Sequence, residues 1–252
     1  MEVFEARAAK YNQLAWVADP DFGRQIVELA QAHSSTVMLD LAAGTGAVAL
    51  LFCGLVREIY ALDSSAGMLE QAREAMKDED NVRFIHRDGQ DTGLPDSFLD
   101  LIICRNGLHH FDDPRAGLRE VMRILKPDGV FLLIEPVAPS DAGKWPWSEL
   151  FRVRDKGRHP SFYFTSAELA DYVSGEGFVV DRVEGVTIPL SLSNWLDTGS
   201  LCEDETAHIL RFVGELPAEL RAHLEVEATD GDWVWRHHWA LLRLKKGAPK
   251  EQ

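Results

Sequence analysis

Val37-Met38-Leu39-Asp40-Leu41-Ala42-Ala43-Gly44-Thr45-Gly46 is the stretch whose reading decides the fold. Val37, Met38, Leu39 and Leu41 form a short apolar run with no alternating polar face, which predicts a strand buried on both sides. The run stops at Ala42-Ala43-Gly44-Thr45-Gly46, where small residues let the backbone turn sharply and let a ligand come close to the main chain. Ala47-Val48-Ala49-Leu50-Leu51 then opens a predicted helix running to about Val56. A strand, a glycine turn and a helix N-terminus together make a ligand site at the carboxyl end of the strand.

Two nucleotide-type ligands suit such a turn, and a turn with no ligand is the third reading. Gly44-x-Gly46-x-x-Ala49, with Asp63 nineteen residues after Gly44, fits a dinucleotide fingerprint. Asp40 argues the other way, because a carboxylate there would repel an anionic pyrophosphate. The amino or sulfonium side of S-adenosylmethionine is cationic and tolerates an acid. Asp40-Leu41-Ala42-Ala43-Gly44-Thr45-Gly46 resembles the D-x-G-x-G-x-G motif of class I S-adenosylmethionine-dependent methyltransferases. Ala42 stands where that family usually has its first glycine.

The bulk numbers narrow the class. With 252 residues the chain can bury a sizeable α/β core. Its net charge of −15 does not suit a phosphate backbone, so no nucleic-acid partner is expected. The start, Met1-Glu2-Val3-Phe4-Glu5-Ala6-Arg7, lacks the apolar region of a signal peptide. The apolar run Ala47 to Val56 contains a glycine and is too short to cross a bilayer. Cys53, Cys104 and Cys202 are odd in number and far apart, which implies a reduced, cytoplasmic setting and no metal site.

Residues 1–18 predict a helix with Phe4, Ala8, Tyr11 and Ala15 at helical spacing. Ala8-Ala9-Lys10-Tyr11-Asn12 resembles the A-x-x-Y-D segment of small-molecule methyltransferases, whose Tyr reaches the methionyl end of the cofactor. The alternative is a Tyr11 ring packed on the core. Pro20-Asp21-Phe22-Gly23 predicts a break, and Phe22 to His33 a helix. Glu58 to Asp63 predicts the second strand, whose terminal acid has acceptor capacity for both ribose hydroxyls. Ser64-Ser65 caps the next helix. That run resembles the family's D-x-S-x-x-M-L segment, which sets Met68 against adenine, although Met68 in the core serves equally.

Asn81 to Ile85 predicts the third strand, followed by Asp88-Gly89-Gln90, where an acid can accept from an adenine amino group and Gly89 admits close approach. Leu101 to Cys104 predicts the fourth strand. After it, Arg105-Asn106-Gly107-Leu108-His109-His110-Phe111-Asp112-Asp113-Pro114 resembles the L-H-H-F-x-D-P signature of quinone-biosynthesis and related small-molecule methyltransferases. The resemblance places this loop beside the transferred methyl, with Arg105 and Asn106 against the cofactor. Neighbouring residues on a strand or helix do not share a face, so one of His109 and His110 is expected to point into the pocket.

Ala116 to Leu125 predicts an amphipathic helix, Lys126-Pro127-Asp128-Gly129 a turn, and Val130 to Ile134 the fifth strand, with Glu135 at its tip. From Val137 to Ser200 the resemblance thins. Lys144-Trp145-Pro146-Trp147 and 154–160 read as loop or short helix, Thr165 to Glu168 as a capping box, and Phe178 to Val180 as the start of a sixth strand. A helical stretch runs from Trp195 to about Leu224, and Trp233 to Lys245 alternates as a last, antiparallel strand. The polar tail, 247–252, reads as frayed.

The resemblance implies a Rossmann-like, doubly wound, seven-stranded sheet in the order 3-2-1-4-5-7-6. It implies a single domain over 1–252, with a cofactor core at about 20–136, cap segments at about 1–18 and 137–200, and a sheet completed by about 178–246. It also implies methyl transfer from S-adenosyl-L-methionine, releasing S-adenosyl-L-homocysteine, to a small-molecule acceptor by O- or C-methylation. The cofactor-binding set on this reading is Tyr11, Asp40, Leu41, Ala42, Gly44, Gly46, Asp63, Ser64, Met68, Asp88, Gly89, Gln90, Arg105 and Asn106. A neutral histidine suits proton removal near pH 7, so the base candidates are His110, then His109, with Glu135 as a third acid. The aromatic residues Trp145, Trp147, Phe151, Phe162, Tyr163 and Trp195 either line a site for a planar or lipophilic acceptor or fill the core under the cap. A non-catalytic S-adenosylmethionine-binding protein and an NAD-dependent oxidoreductase are the competing functions.

Overall fold

The computed structural model describes residues 14, 17, 19–156, 164–198 and 200–247. Tyr11, Phe162 and Tyr163 lie outside them, as does most of the 1–18 segment.

The apolar runs become one mixed sheet. Strands β1 (Val37–Leu41), β2 (Glu58–Asp63), β3 (Val82–His86), β4 (Leu99–Arg105) and β5 (Leu125–Val137) are parallel. β6 (Phe178–Ser191) and β8 (Asp232–Lys246) run antiparallel to each other, and β8 also pairs antiparallel with β5. The order is β3-β2-β1-β4-β5-β8-β6, with the short β7 (Val226–Thr229) paired to β8. The doubly wound arrangement is as expected, but the sheet has eight strands, not seven. The extra strand folds back through Asp230-Gly231, with Gly231 at φ +83° and Thr229 opposite Asp232. An Asp-Gly pair is a strong hairpin signal, and it lies between the expected helix and the expected last strand.

Side-chain alternation divides the core between the two faces of the sheet. Met38, Ile59, Ile103, Leu132 and Ile134 meet Phe22, Ile26 and Leu29 of α1 (Pro20–Ala30) on one side. Leu39, Leu41, Ile102, Cys104 and Leu133 meet Leu118 and Val121 of α4 (Pro114–Ile124), with Leu169 and Val173 of α6 (Ser166–Gly175), on the other.

Several boundaries move. Pro20 opens α1 rather than breaking the chain: it sits in the first turn, where no N–H is needed, and the Asp19 carboxylate accepts from Asp21 N and Phe22 N. The helix after the glycine turn, α2 (Ala49–Phe52), is one turn long, and Gly54 at φ +75° follows it. Lys126 to Gly129 falls within β5, but Leu125 pairs with Leu99 and Val130 with Leu101, so these four residues bulge from the ladder. Lys144 to Arg154 is the three-turn helix α5. The expected 195–224 stretch divides into α7 (Leu192–Leu196), α8 (Glu203–Glu215) and α9 (Ala218–His223). Ser65 caps α3 (Ala66–Ala75), and Thr165 and Glu168 form the capping box of α6, both as read.

No helix among the described residues is long and apolar enough to cross a membrane.

Candidate functional site

The parallel strands end on one side of the sheet, and their tips surround a cavity of about 310 Å³. That size falls among small-molecule sites. Its lining joins the glycine turn, the acidic tips of β2 and β3, the loop after β4, and α5, α7 and β8.

The floor is built from backbone. Ala42, Gly44 and Gly46 take φ of +59°, +55° and +81°. Glycine adopts such values freely, whereas Ala42 is strained there, so the missing family glycine is a substitution at a position the turn still needs. Asp63 ties the turn to the second strand: its Oδ2 accepts from Gly44 N at 2.8 Å and its Oδ1 from Ser65 N at 2.8 Å. Burial raises its pKa, and the amides of Ser65, Gly44 and Ser64 oppose that rise. A carboxylate has about four lone-pair sites, so each oxygen retains acceptor capacity toward a ligand.

At the third tip Asp88 accepts from Gln90 N at 2.8 Å, and Gln90 Oε1 accepts from Asp113 N at 2.8 Å. Gly89 is required by packing, since a Cβ there would lie 2.4 Å from Phe111 Cζ. Asn106 is at φ +53°, and its Oδ1 accepts from Trp239 Nε1 at 3.1 Å.

The histidine loop differs from expectation. Leu108 to His110 is a 3₁₀ turn, and both His109 and His110 line the cavity. The face-alternation argument applies to strands and α-helices. In this tight turn the two rings tilt together, with centroids 3.9 Å apart and Nε2 atoms 2.9 Å apart. The His109 Nδ1 is hydrogen-bonded to Glu135 Oε2, and Glu135 Oε1 accepts from Gly107 N and Leu108 N. Glu135, fully buried, therefore holds the loop from beneath and does not itself line the cavity.

Of the other expected site residues, Ala42, Gly44, Asp63, Ser64, Met68, Asp88, Gly89, Gln90 and Asn106 line the cavity. Asp40, Leu41, Gly46 and Arg105 do not. Asp40 is buried under the turn, where its Oδ2 accepts from Ala49 N at 2.9 Å; burial raises its pKa to about 7 against the amide and the Arg105 charge. It is a brace between strand and helix rather than part of the cavity wall. Leu41 belongs to the core. Gly46 makes room for α3, since a Cβ there would meet Ala72 Cβ at 3.2 Å. Arg105 is buried with its guanidinium over the Phe22 ring.

The far wall is aromatic. Trp147, Phe151 and Arg154 share a face of α5 at spacings of four and three, and Phe151 and Arg154 reach the cavity. Trp195 of α7 meets them, while Trp147 is core and Trp145 is exposed against Phe212. Phe151 and Trp195 thus line the cavity while also belonging to the core beneath it. His237 and Trp239 were missed as lining residues. Their signal was the alternation of β8, which puts Trp235, His237 and Trp239 on one face. No cluster of metal-binding side chains occurs among the described residues.

Comparison with known proteins finds a family model described as a methyltransferase domain, of type 11, matching residues 39–133. The chain is 28% identical to the uncharacterized methyltransferase YcgJ of Bacillus subtilis over 86% of its length and 87% of that protein. The crystal structure of YcgJ superposes with a TM-score of 0.82 over 90% of this chain and 98% of that one, at 26% identity. The ubiquinone/menaquinone biosynthesis C-methyltransferase UbiE of Azotobacter vinelandii is 33% identical over 56% of this chain and 60% of its own, so the match spans less than two thirds of that relative. An S-adenosylmethionine-dependent methyltransferase from Geobacter sulfurreducens, solved with S-adenosyl-L-homocysteine, shares the fold at a TM-score of 0.62 and 17% identity, over 98% of each chain.

Proposed function

The chain is a class I S-adenosylmethionine-dependent methyltransferase, and from that premise we propose that it methylates an oxygen or carbon atom of a planar, lipophilic small molecule. One observation supports this acceptor: the cavity that starts at the glycine turn continues past two histidines to a wall of Phe151, Trp195 and Trp239. The similarity to a C-methyltransferase of quinone biosynthesis points the same way. We take residues 1–252 as one methyltransferase domain.

The residues present fit the cofactor. We assign its ribose to Asp63, its adenine to Met68 and the Asp88-Gly89-Gln90 tip, and its methionyl end to the Ala42 to Gly44 turn and Asn106. Bound there, S-adenosylmethionine supplies an electrophilic methyl group already activated by its sulfonium. The protein then has to align the acceptor, exclude water and accept a proton where the nucleophile carries one.

Glu135, His109 and His110 suit that last task as a relay. The Glu135 contact favours the His109 tautomer with its proton on Nδ1, leaving Nε2 to accept from His110. A proton taken up by the His110 ring can pass through Nε2 to His109, whose imidazolium is then held by the Glu135 carboxylate. On this assignment His110 is the base and Glu135 a positioning residue.

Calorimetric titration with S-adenosyl-L-homocysteine and with NAD, followed by mass spectrometry of candidate quinols incubated with S-adenosylmethionine, tests the reading. Tight NAD binding with no response to S-adenosyl-L-homocysteine rejects it.

A further inference from the structure

His237 is 2% exposed and lines the acceptor end of the cavity, and its buried Nδ1 has no hydrogen-bond partner among the described residues. The ring is fixed by aromatic neighbours. Trp239 lies 3.9 Å away at 36°, Trp235 meets it edge-on at 4.8 Å, and Phe151 and Trp195 stand at 5.6 and 6.2 Å. A buried polar atom left unpaired is costly, so a phenyl ring at this point would be the less costly packing unit. We infer that His237 is the specificity-determining residue of the acceptor site, where its Nδ1 hydrogen-bonds the hydroxyl or carbonyl oxygen of an uncharged planar ring stacked among Phe151, Trp195 and Trp239. This rests on the methyl-transfer reading and adds to it the chemistry by which the acceptor is chosen.

Charge around the ring supports an uncharged acceptor. Burial holds the His237 pKa well below the ordinary imidazole range, helped by the charge of Arg154 and by His238 and His109. A neutral imidazole carries one N–H and one lone-pair nitrogen, so Nδ1 can donate to a carbonyl or accept from a hydroxyl. An aromatic wall of this kind could also attract a cation. Arg154 opposes that: its guanidinium lies 4.5 Å over the Trp195 ring, with Nε donating to Trp195 O at 3.1 Å. The Asp155 carboxylate, 3.3 Å from Arg154 Nη1, balances that charge and removes the attraction for an anion.

The test uses the full chain saturated with S-adenosyl-L-homocysteine, so that a probe meets only the acceptor end. Ligand-observed NMR titration compares 2-naphthol with 2-methylnaphthalene, which has the same shape without the oxygen. The expected preference for 2-naphthol is about five- to tenfold, the worth of one buried neutral hydrogen bond. His237→Phe should bring that ratio to about one, and His237→Asn, whose carboxamide replaces the Nδ1 position, should restore it. A purely structural histidine would leave the ratio unchanged in both variants. A wild-type ratio near one, a ratio unmoved by His237→Phe, or tighter binding of 2-naphthylmethylammonium than of 2-naphthol overturns the inference and leaves methyl transfer standing. Failure of S-adenosyl-L-homocysteine to bind at the outset overturns both. If His237→Phe does not fold, His237→Leu, which also removes both ring nitrogens, makes the same comparison: a ratio near one supports the inference and an unchanged ratio overturns it.

Discussion

The Asp40 carboxylate accepts from the Ala49 amide at 2.9 Å, bridging the end of β1 to the start of α2 across the glycine turn. Both residues are buried. The bridge closes the turn from below and leaves its upper side to the cavity.

That burial has a pH signature. The folded-state pKa of Asp40, about 7, lies above its unfolded value, so its contribution to stability is complete below the unfolded pKa and is lost as pH rises toward 7. Asp40→Asn keeps an oxygen for Ala49 N and removes the titration. Relative to wild type it should be more stable at pH 8 than at pH 5, by on the order of 1–3 kcal/mol. Urea denaturation of both proteins at the two pH values measures this; an equal difference at both shows that Asp40 does not titrate in this range.

Ala42 at φ +59° predicts a gain from glycine. Ala42→Gly should raise stability by about 0.5–1 kcal/mol, the left-handed strain relieved less the added freedom of the unfolded chain. Thermal unfolding detects it. A lower Tm would mean that the Ala42 methyl contributes more through packing than it costs in strain.

Asp63→Ala should weaken S-adenosyl-L-homocysteine binding by about 1–3 kcal/mol, since a charged acceptor is lost. Because Gly44 N and Ser65 N also lose their partner, stability should fall by about 1 kcal/mol as well. Calorimetry and denaturation read the two separately, and unchanged affinity would remove Asp63 from the cofactor assignment.

For the proposed relay, His110→Ala should lower kcat by roughly 10²–10⁴ with cofactor affinity retained. Glu135→Gln should lower kcat as well and shift the pH–rate limb attributed to the histidines, because the His109 ring loses its charged partner. Near wild-type turnover in His110→Ala and His109→Ala together would mean that positioning alone suffices, and would favour a carbon or ionised nucleophile.

The parallel half of the fold was legible because its signals are local. The Val37 to Gly46 run, Asp63 and Asp88 at or just past the ends of the next two strands, and the Ser65 and Thr165 caps state their structure within a few residues. Cavity residues on the strand tips were legible for the same reason. What was not legible depends on distance in sequence. Asp40 reads as a ligand contact until Ala49 is seen to take its carboxylate. His109 and His110 read as opposed until the 3₁₀ turn and Glu135 bring both rings inward. His237 is one alternating residue among many until β8 is laid beside β5.

β8 is also paired on both sides: β6 holds one edge along Phe178 to Ser191, and β5 and β7 share the other. The segment proposed to read the acceptor is therefore clamped between neighbours, while the turn proposed to hold the cofactor belongs to a stretch nearly two hundred residues earlier. On these assignments the two tasks lie on separate lengths of chain. A relative could exchange the side chain at His237 and acquire a new taste in acceptors while its ladder, its glycine turn and its methyl donor stay as they were.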